Sequence, residues 1–287
     1  MSNILILLRS HQWIKNLFVL APLFFAFDFS SEKFITVIIG FSLFSLAASG
    51  IYILNDYHDI DEDREHPTKK NRPLASSAVS KHSAIILMIV FLMASLIGSI
   101  YLSHIFALIL VVYMAMNIAY TFGLKHISIL DISIIAIGFV LRIYAGAALI
   151  DSTPSMWIVL VTFLLALFLA LAKRRDDCLL ALDGKKTRKN IDGYNLEMVN
   201  AAMTLMAGVT VVAYIMYTVS PDVTQRLGTH NLYITALFVI IGILRYMQLT
   251  FVEQNSGSPT KLVLKDRFLQ IVLIGWITSF YLIAKVL

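Results

Sequence analysis

The sequence predicts an all-α polytopic membrane protein, a bundle of nine transmembrane helices. Three observations carry that prediction. Of the 287 residues, 59% are apolar or aromatic and only 14% are charged, against roughly 45–50% and about 25% in soluble domains, and the mean hydropathy is +0.80. Charge-free apolar stretches of about 20 residues, the length that crosses a bilayer, recur along the chain. The basic residues fall on alternate loops. The chain is read as a single integral membrane domain over 1–287, which leaves no room for a large soluble domain.

The first span is placed at 13–28, with Lys15 and Asn16 inside its start. The stretch before it has only five consecutive apolar residues, Ile4 to Leu8, and no small-residue cleavage site, so it is not read as a removable signal peptide. The second span is 34–55. From Ser83 to Leu124 there is no Lys, Arg, Asp or Glu. That run is too long for one span and right for two, 83–102 and 105–124, joined by a tight turn at Ser103 and His104. Spans at 128–149, 155–173, 198–219, 231–250 and 268–286 complete the nine.

Orientation follows from the tendency of basic residues near span ends to stay on the cytoplasmic side. With the N-terminus inside, only Lys33, Arg226 and Lys285 of the 23 Lys and Arg residues fall outside, while Arg142 and Arg245 lie within spans. The expectation is a cytoplasmic N-terminus and a C-terminus on the outer side. Outer connections are short, whereas two inner ones, 55–82 and 173–197, are long and charged, so the chemistry is expected at the cytoplasmic face. The net charge of +5 would suggest nucleic acid in a soluble protein, but here it resides in these loops and no nucleic-acid partner is expected. A lone cysteine, Cys178, excludes an intramolecular disulfide and any cysteine-based metal cluster.

The first inner loop opens Asn55-Asp56-Tyr57-His58-Asp59-Ile60-Asp61-Glu62-Asp63. If span two continues as a helix past the membrane edge, Asp56, Asp59 and Asp63 line one face. Like charges at that spacing repel, and hard oxygen ligands at this density suit Mg²⁺ completed by waters and substrate phosphates. Lys69 and Arg72 follow and can reach back to an anion held by the metal. A solvated acidic helix end is the simpler alternative; carboxylates in register at a membrane boundary, trailed by basic residues, favour the metal. The second loop opens Lys173-Arg174-Arg175-Asp176-Asp177 and runs on to Arg188 and Lys189. Alone it could bind lipid headgroups; facing the acidic loop it would close a diphosphate site.

Asn55-Asp56-x-x-Asp59-x-x-x-Asp63 on span two resembles the first Asp-rich motif of the UbiA superfamily of intramembrane prenyltransferases. Four stretches resemble one branch more closely, the polyprenyl-phosphate phosphoribosyltransferases: Arg9-Ser10-His11-Gln12-Trp13-Ile14-Lys15-Asn16; His66-Pro67-Thr68-Lys69 with Asn71-Arg72-Pro73; Tyr120-Thr121-Phe122-Gly123-Leu124-Lys125 on to Asp131 and Gly138-Phe139-Val140-Leu141-Arg142; and 173–177 with Thr187-Arg188-Lys189 and Tyr194. The second Asp-x-x-x-Asp motif of aromatic prenyltransferases is missing, and Asp177 stands where the branch tends to have Glu.

The resemblance implies Mg²⁺-dependent transfer of 5-phosphoribose from 5-phosphoribosyl 1-diphosphate to a polyprenyl phosphate for cell-envelope glycan synthesis, in a bacterial cytoplasmic membrane. It implies Mg²⁺ on the catalytic carboxylates Asp56, Asp59 and Asp63. Substrate binding would fall to Lys15, Asn55, Lys69, Arg72, Tyr120, Lys125, Lys173, Arg174, Asp177 and Arg188. The alternatives are an aromatic polyprenyltransferase, which lacks its second motif here, and a cation-coupled transporter, whose ion sites belong at the bilayer midplane between related halves rather than at its edge. Arg142, inside span five at an insertion cost of about 2.5–3.5 kcal/mol, is open between a structural partner and a substrate contact. Gly138 and Gly146 are read as permitting close helix packing.

Overall fold

The computed structural model describes residues 3–27, 29–66, 69–182, 191–254 and 259–286. They form helices and connections with no β-strand among the described residues. The chain divides into two compact units, Met1–Pro154 and Ser155–Leu287.

In the first unit, α1 (Asn3–Leu7), a 3-10 helix (Ser10–Leu20) and α2 (Ala21–Ala26) precede the long α3 (Ser31–His58); α4 (Ile60–Glu65), α5 (Lys81–Leu102), α6 (His104–Phe122) and α7 (Leu130–Leu149) follow. The second unit holds α8 (Met156–Leu182), α9 (Leu196–Val219), α10 (Pro221–Leu227), α11 (Ala236–Phe251), α12 (Pro259–Lys265) and α13 (Arg267–Val286). Eight segments among the described residues are long and apolar enough to cross a membrane: α3, α5, α6, α7, α8, α9, α11 with the 3-10 turn before it, and α13. They coincide with spans two to nine of the sequence reading. The turn at Ser103 holds as expected, because this one residue ends α5 and caps α6, its hydroxyl accepting from the Phe106 N–H at 3.3 Å.

The stretch expected at 13–28 as the first span is not among these eight, and it is not one continuous α-helix. It is wound as eleven residues of 3-10 helix and then, at Pro22, six of α-helix, because proline lacks an N–H and suits a helix's first turn. At rises of about 2.0 and 1.5 Å per residue, these seventeen residues extend about 31 Å. The 3-10 helix packs between α3 and α7. A Cβ on Gly146 of α7 would lie 1.9 Å from the Val19 carbonyl oxygen, so only glycine allows this approach. Val19, Leu23, Val37, Phe44, Phe106, Leu110, Tyr113 and Ala145 form the core around the contact.

Two further differences bear on the site. α3 ends at His58, and Asp59, at φ −95° and ψ 11°, separates it from α4, so the three carboxylates do not stand on one unbroken helix face. Leu7, Leu8, Ile53, Ile60, Leu74 and Ala84 form a buried apolar cluster that includes residues on both sides of this junction. The second charged loop begins as helix: α8 runs to Leu182, ten residues into the 173–197 segment. Nothing between Lys173 and Leu182 breaks a helix, and Arg174 pairs with Asp177 one turn on.

Candidate functional site

The site of the first unit is built where α3 leaves its apolar span. Asp56, on the last turns of α3, and Asp63, on α4, are each 2% exposed. Arg72, on the return loop, bridges them: its NH1 donates to Asp56 Oδ1 at 3.1 Å and to Asp63 Oδ2 at 2.6 Å. The Arg9 guanidinium pairs with the same Asp56 oxygen and lies 5.0 Å over the Tyr52 ring. Arg9 sits at φ 49°, ψ 43°, a left-handed conformation uncommon for a side-chain-bearing residue. It turns the chain from α1 into the 3-10 helix.

Asp59 has its own set of partners. Its Oδ1 pairs with Lys125 Nζ and lies 3.0 Å from His58 Nδ1, and its Oδ2 accepts from Asn55 Nδ2 at 3.1 Å. Burial disfavours its charge, but the hydrogen bonds from His58 and Lys125 outweigh that and hold its carboxyl below the usual range. Lys125, in the 3-10 turn after α6, is 7% exposed. Three carboxylates are thus matched by three cations, as burial requires.

Among the described residues, no three His, Cys, Asp or Glu side chains converge to hold a metal ion. The donors fit magnesium in kind, being carboxylate and amide oxygens only. The positive charge that a metal would bring is supplied here by Arg9, Arg72 and Lys125, each lying on a carboxylate oxygen.

Lys15 is half-buried on the 3-10 helix beside Asn16, and the Lys69 N–H donates to His66 Nδ1 at 3.3 Å. Tyr120 is half-buried near the end of α6. Within the second unit, Lys173, Arg174 and Asp177 lie on α8; Arg174 is 1% exposed and its NH1 pairs with the Asp177 carboxylate. Arg188 lies outside the described residues, as do Pro67, Thr68, Thr187 and Lys189. Sequence reasoning missed Arg9 and His58 as members of the site. The signal for Arg9 was present, since it opens the first stretch that carries the family resemblance.

Apolar helices that gather buried carboxylates and cations at the end of a spanning segment define a multi-pass membrane protein with a charge-balanced polar site. The chain belongs to the UbiA prenyltransferase family, whose profile matches residues 17–272. Among similar proteins, a decaprenyl-phosphate phosphoribosyltransferase of Mycolicibacterium smegmatis is 37% identical over 96% of this chain and 90% of its own length. One of Mycobacterium tuberculosis is 33% identical over 95% of this chain and 91% of its own. A UbiA homolog from Archaeoglobus fulgidus, solved with DMAPP and Mg²⁺ bound, has the same fold, at a TM-score of 0.71 and 18% identity over the whole of both chains.

Proposed function

We propose that the protein transfers 5-phosphoribose from 5-phosphoribosyl 1-diphosphate to a polyprenyl phosphate, releasing diphosphate, at the cytoplasmic face of a bacterial inner membrane. The observation that carries this reading is the likeness, over nearly the full length of both chains, to proteins named decaprenyl-phosphate phosphoribosyltransferase. The site's chemistry is consistent with it. Both substrates are anions, one soluble and one lipid, and Arg9, Arg72 and Lys125 are cations positioned at the end of a spanning helix. Charge asymmetry across the loops supports a cytoplasmic N-terminus and an outer C-terminus.

In this reading Asp56, Asp59 and Asp63, with the Asn55 amide, hold Mg²⁺, which when bound neutralises charge on the departing diphosphate. Arg72 and Lys125 are the side chains that exchange a carboxylate for a phosphate oxygen, a charge-assisted contact of the same kind. The proposal also assigns substrate binding to Lys15, Lys69, Tyr120, Lys173, Arg174, Asp177 and Arg188. An oxygen of the lipid phosphate bonds to the anomeric carbon as the carbon–oxygen bond to diphosphate breaks. The attacking group is already an anion, so no general base is needed. The purified protein, given labelled phosphoribosyl diphosphate, Mg²⁺ and a polyprenyl phosphate, should form a labelled lipid. Transfer of a polyprenyl group from its diphosphate to an aromatic acid instead would overturn the reading.

A further inference from the structure

We infer that Arg142 is a positioning residue for this site: by gripping Asn16 it sets the register of the 3-10 helix that places Arg9 on Asp56. Arg142 is 5% exposed inside α7. Its three guanidinium nitrogens each have a separate acceptor: Nε donates to Asn16 Oδ1 at 2.8 Å, NH1 to the Gly138 carbonyl at 2.6 Å and NH2 to the Tyr113 hydroxyl at 3.1 Å. The rings of Phe44, Tyr113 and Phe139 lie 5.0, 5.0 and 5.3 Å from its guanidinium carbon. Enclosed in this way it is not presented to a substrate. An aliphatic residue could fill the same space without the cost of a charge in a span, and only a planar fork ties α7, α6 and the 3-10 helix together at one point.

What Arg142 holds is one rung of a polar seam. The Asn16 Nδ2 donates to Ser45 Oγ at 3.0 Å, and the Trp13 Nε1 donates to Ser49 Oγ at 3.0 Å. The Ser49 hydroxyl in turn donates to the Leu8 carbonyl at 2.9 Å. Arg9 follows over Tyr52 and onto Asp56. The partners on α3 are 45, 49, 52 and 56, a single helical stripe. Three residues of 3-10 helix and four of α-helix both advance about 6.0 Å, so the step from Asn16 to Trp13 matches that from Ser45 to Ser49. The same ratio recurs on α7, where Asn16 meets Arg142 and Val19 meets Gly146. A slip of one residue would rotate the 3-10 helix by about 120° and remove every rung at once. Of the residues named here, Asn16 is the one hydrogen-bonded to both α3 and α7, and Arg142 is its partner on α7.

The kinetic arm of the test rests on the proposed function; the spectroscopic arm does not. The protein is labelled with 5-fluorotryptophan, and ¹⁹F spectra in detergent are compared for wild type, Arg142→Met, Asn16→Ala and Asn16→Asp, with Trp13 assigned by Trp13→Phe. Arg142→Met and Asn16→Ala should move the Trp13 line and leave those of Trp157 and Trp276, in the second unit, in place. Both should lower kcat/KM for phosphoribosyl diphosphate at least tenfold. Asn16→Asp keeps an oxygen facing Arg142 and should return both readouts to near wild type. An unmoved Trp13 line in Arg142→Met overturns the inference whatever the kinetics, because Arg142 then acts by some other route. A moved line with unchanged kinetics overturns it as well, since the register would not matter to the site. Absence of phosphoribosyl transfer by wild type would refute the function alone, and the Trp13 line would still decide whether Arg142 sets the register. If Arg142→Met also moves the Trp157 and Trp276 lines, the Asn16 pair decides.

Discussion

Lys125 and Asp59, sixty-six residues apart in the chain, form an ion pair that ties the turn after α6 to the break between α3 and α4. Their side chains are 8% and 15% exposed, so the pair is largely shielded from solvent. Removing the ammonium leaves Asp59 with the His58 ring and the Asn55 amide.

Lys125→Met should therefore destabilise the protein by about 1.5–3 kcal/mol, the range for a hydrogen bond to a charged group. Adding Asp59→Asn should restore part of the loss, because the uncompensated charge is then removed. Thermal melts of both single variants and the double variant make the cycle; strictly additive losses would show that the pair is not coupled.

Asp56→Asn and Asp59→Asn should each abolish turnover while the protein still inserts and folds, and EDTA should silence the wild type until Mg²⁺ is restored. The measurement is product formation beside a melting curve for each variant. Full activity in either Asn variant would sink the metal assignment.

Gly146→Ala would place a methyl group 1.9 Å from the Val19 oxygen and 2.9 Å from its carbonyl carbon. Neither the α7 backbone nor the 3-10 backbone can yield without moving the seam, so a loss of about 1–3 kcal/mol is expected, as for other overpacked interiors. Gly208, with nothing within 4 Å of an added Cβ, is the control and should tolerate alanine.

Asp266 caps α13, accepting from the Leu269 N–H at 2.8 Å and from Arg245 NH2 at 2.7 Å. The Arg245 hydrogen bond, against the opposing effect of burial and helped by the Leu269 N–H, holds its carboxyl below the usual range. A folded pKa below the unfolded value of about 3.9 means stability that is present above that value and lost as pH falls through the folded pKa. Stability measured from pH 6 down to pH 2 should fall less steeply in Asp266→Asn than in wild type; identical slopes would refute the assignment.

The positions of spans two to nine were legible in the sequence because a bilayer imposes about 20 apolar residues per crossing on any helix, and the structure places helices at each of them. The clustering of Asp56, Asp59 and Asp63 after span two was legible for the same reason, since charges that cannot enter the apolar span collect at its end. The stretches around Arg9, Asp56 and Lys125 carry the family resemblance in the sequence itself. The pairings were not legible: Arg9 meets Asp56 across 47 residues and Arg142 meets Asn16 across 126. A carboxylate's choice among several nearby cations depends on where the chain turns, here on the break at Asp59, which the carboxylate spacing does not reveal. The 3-10 winding of Ser10–Leu20 was hidden as well. Its three-for-four match has meaning only once the stripe on α3 and Gly146 on α7 stand on either side of it, so tertiary packing decides the form of that segment.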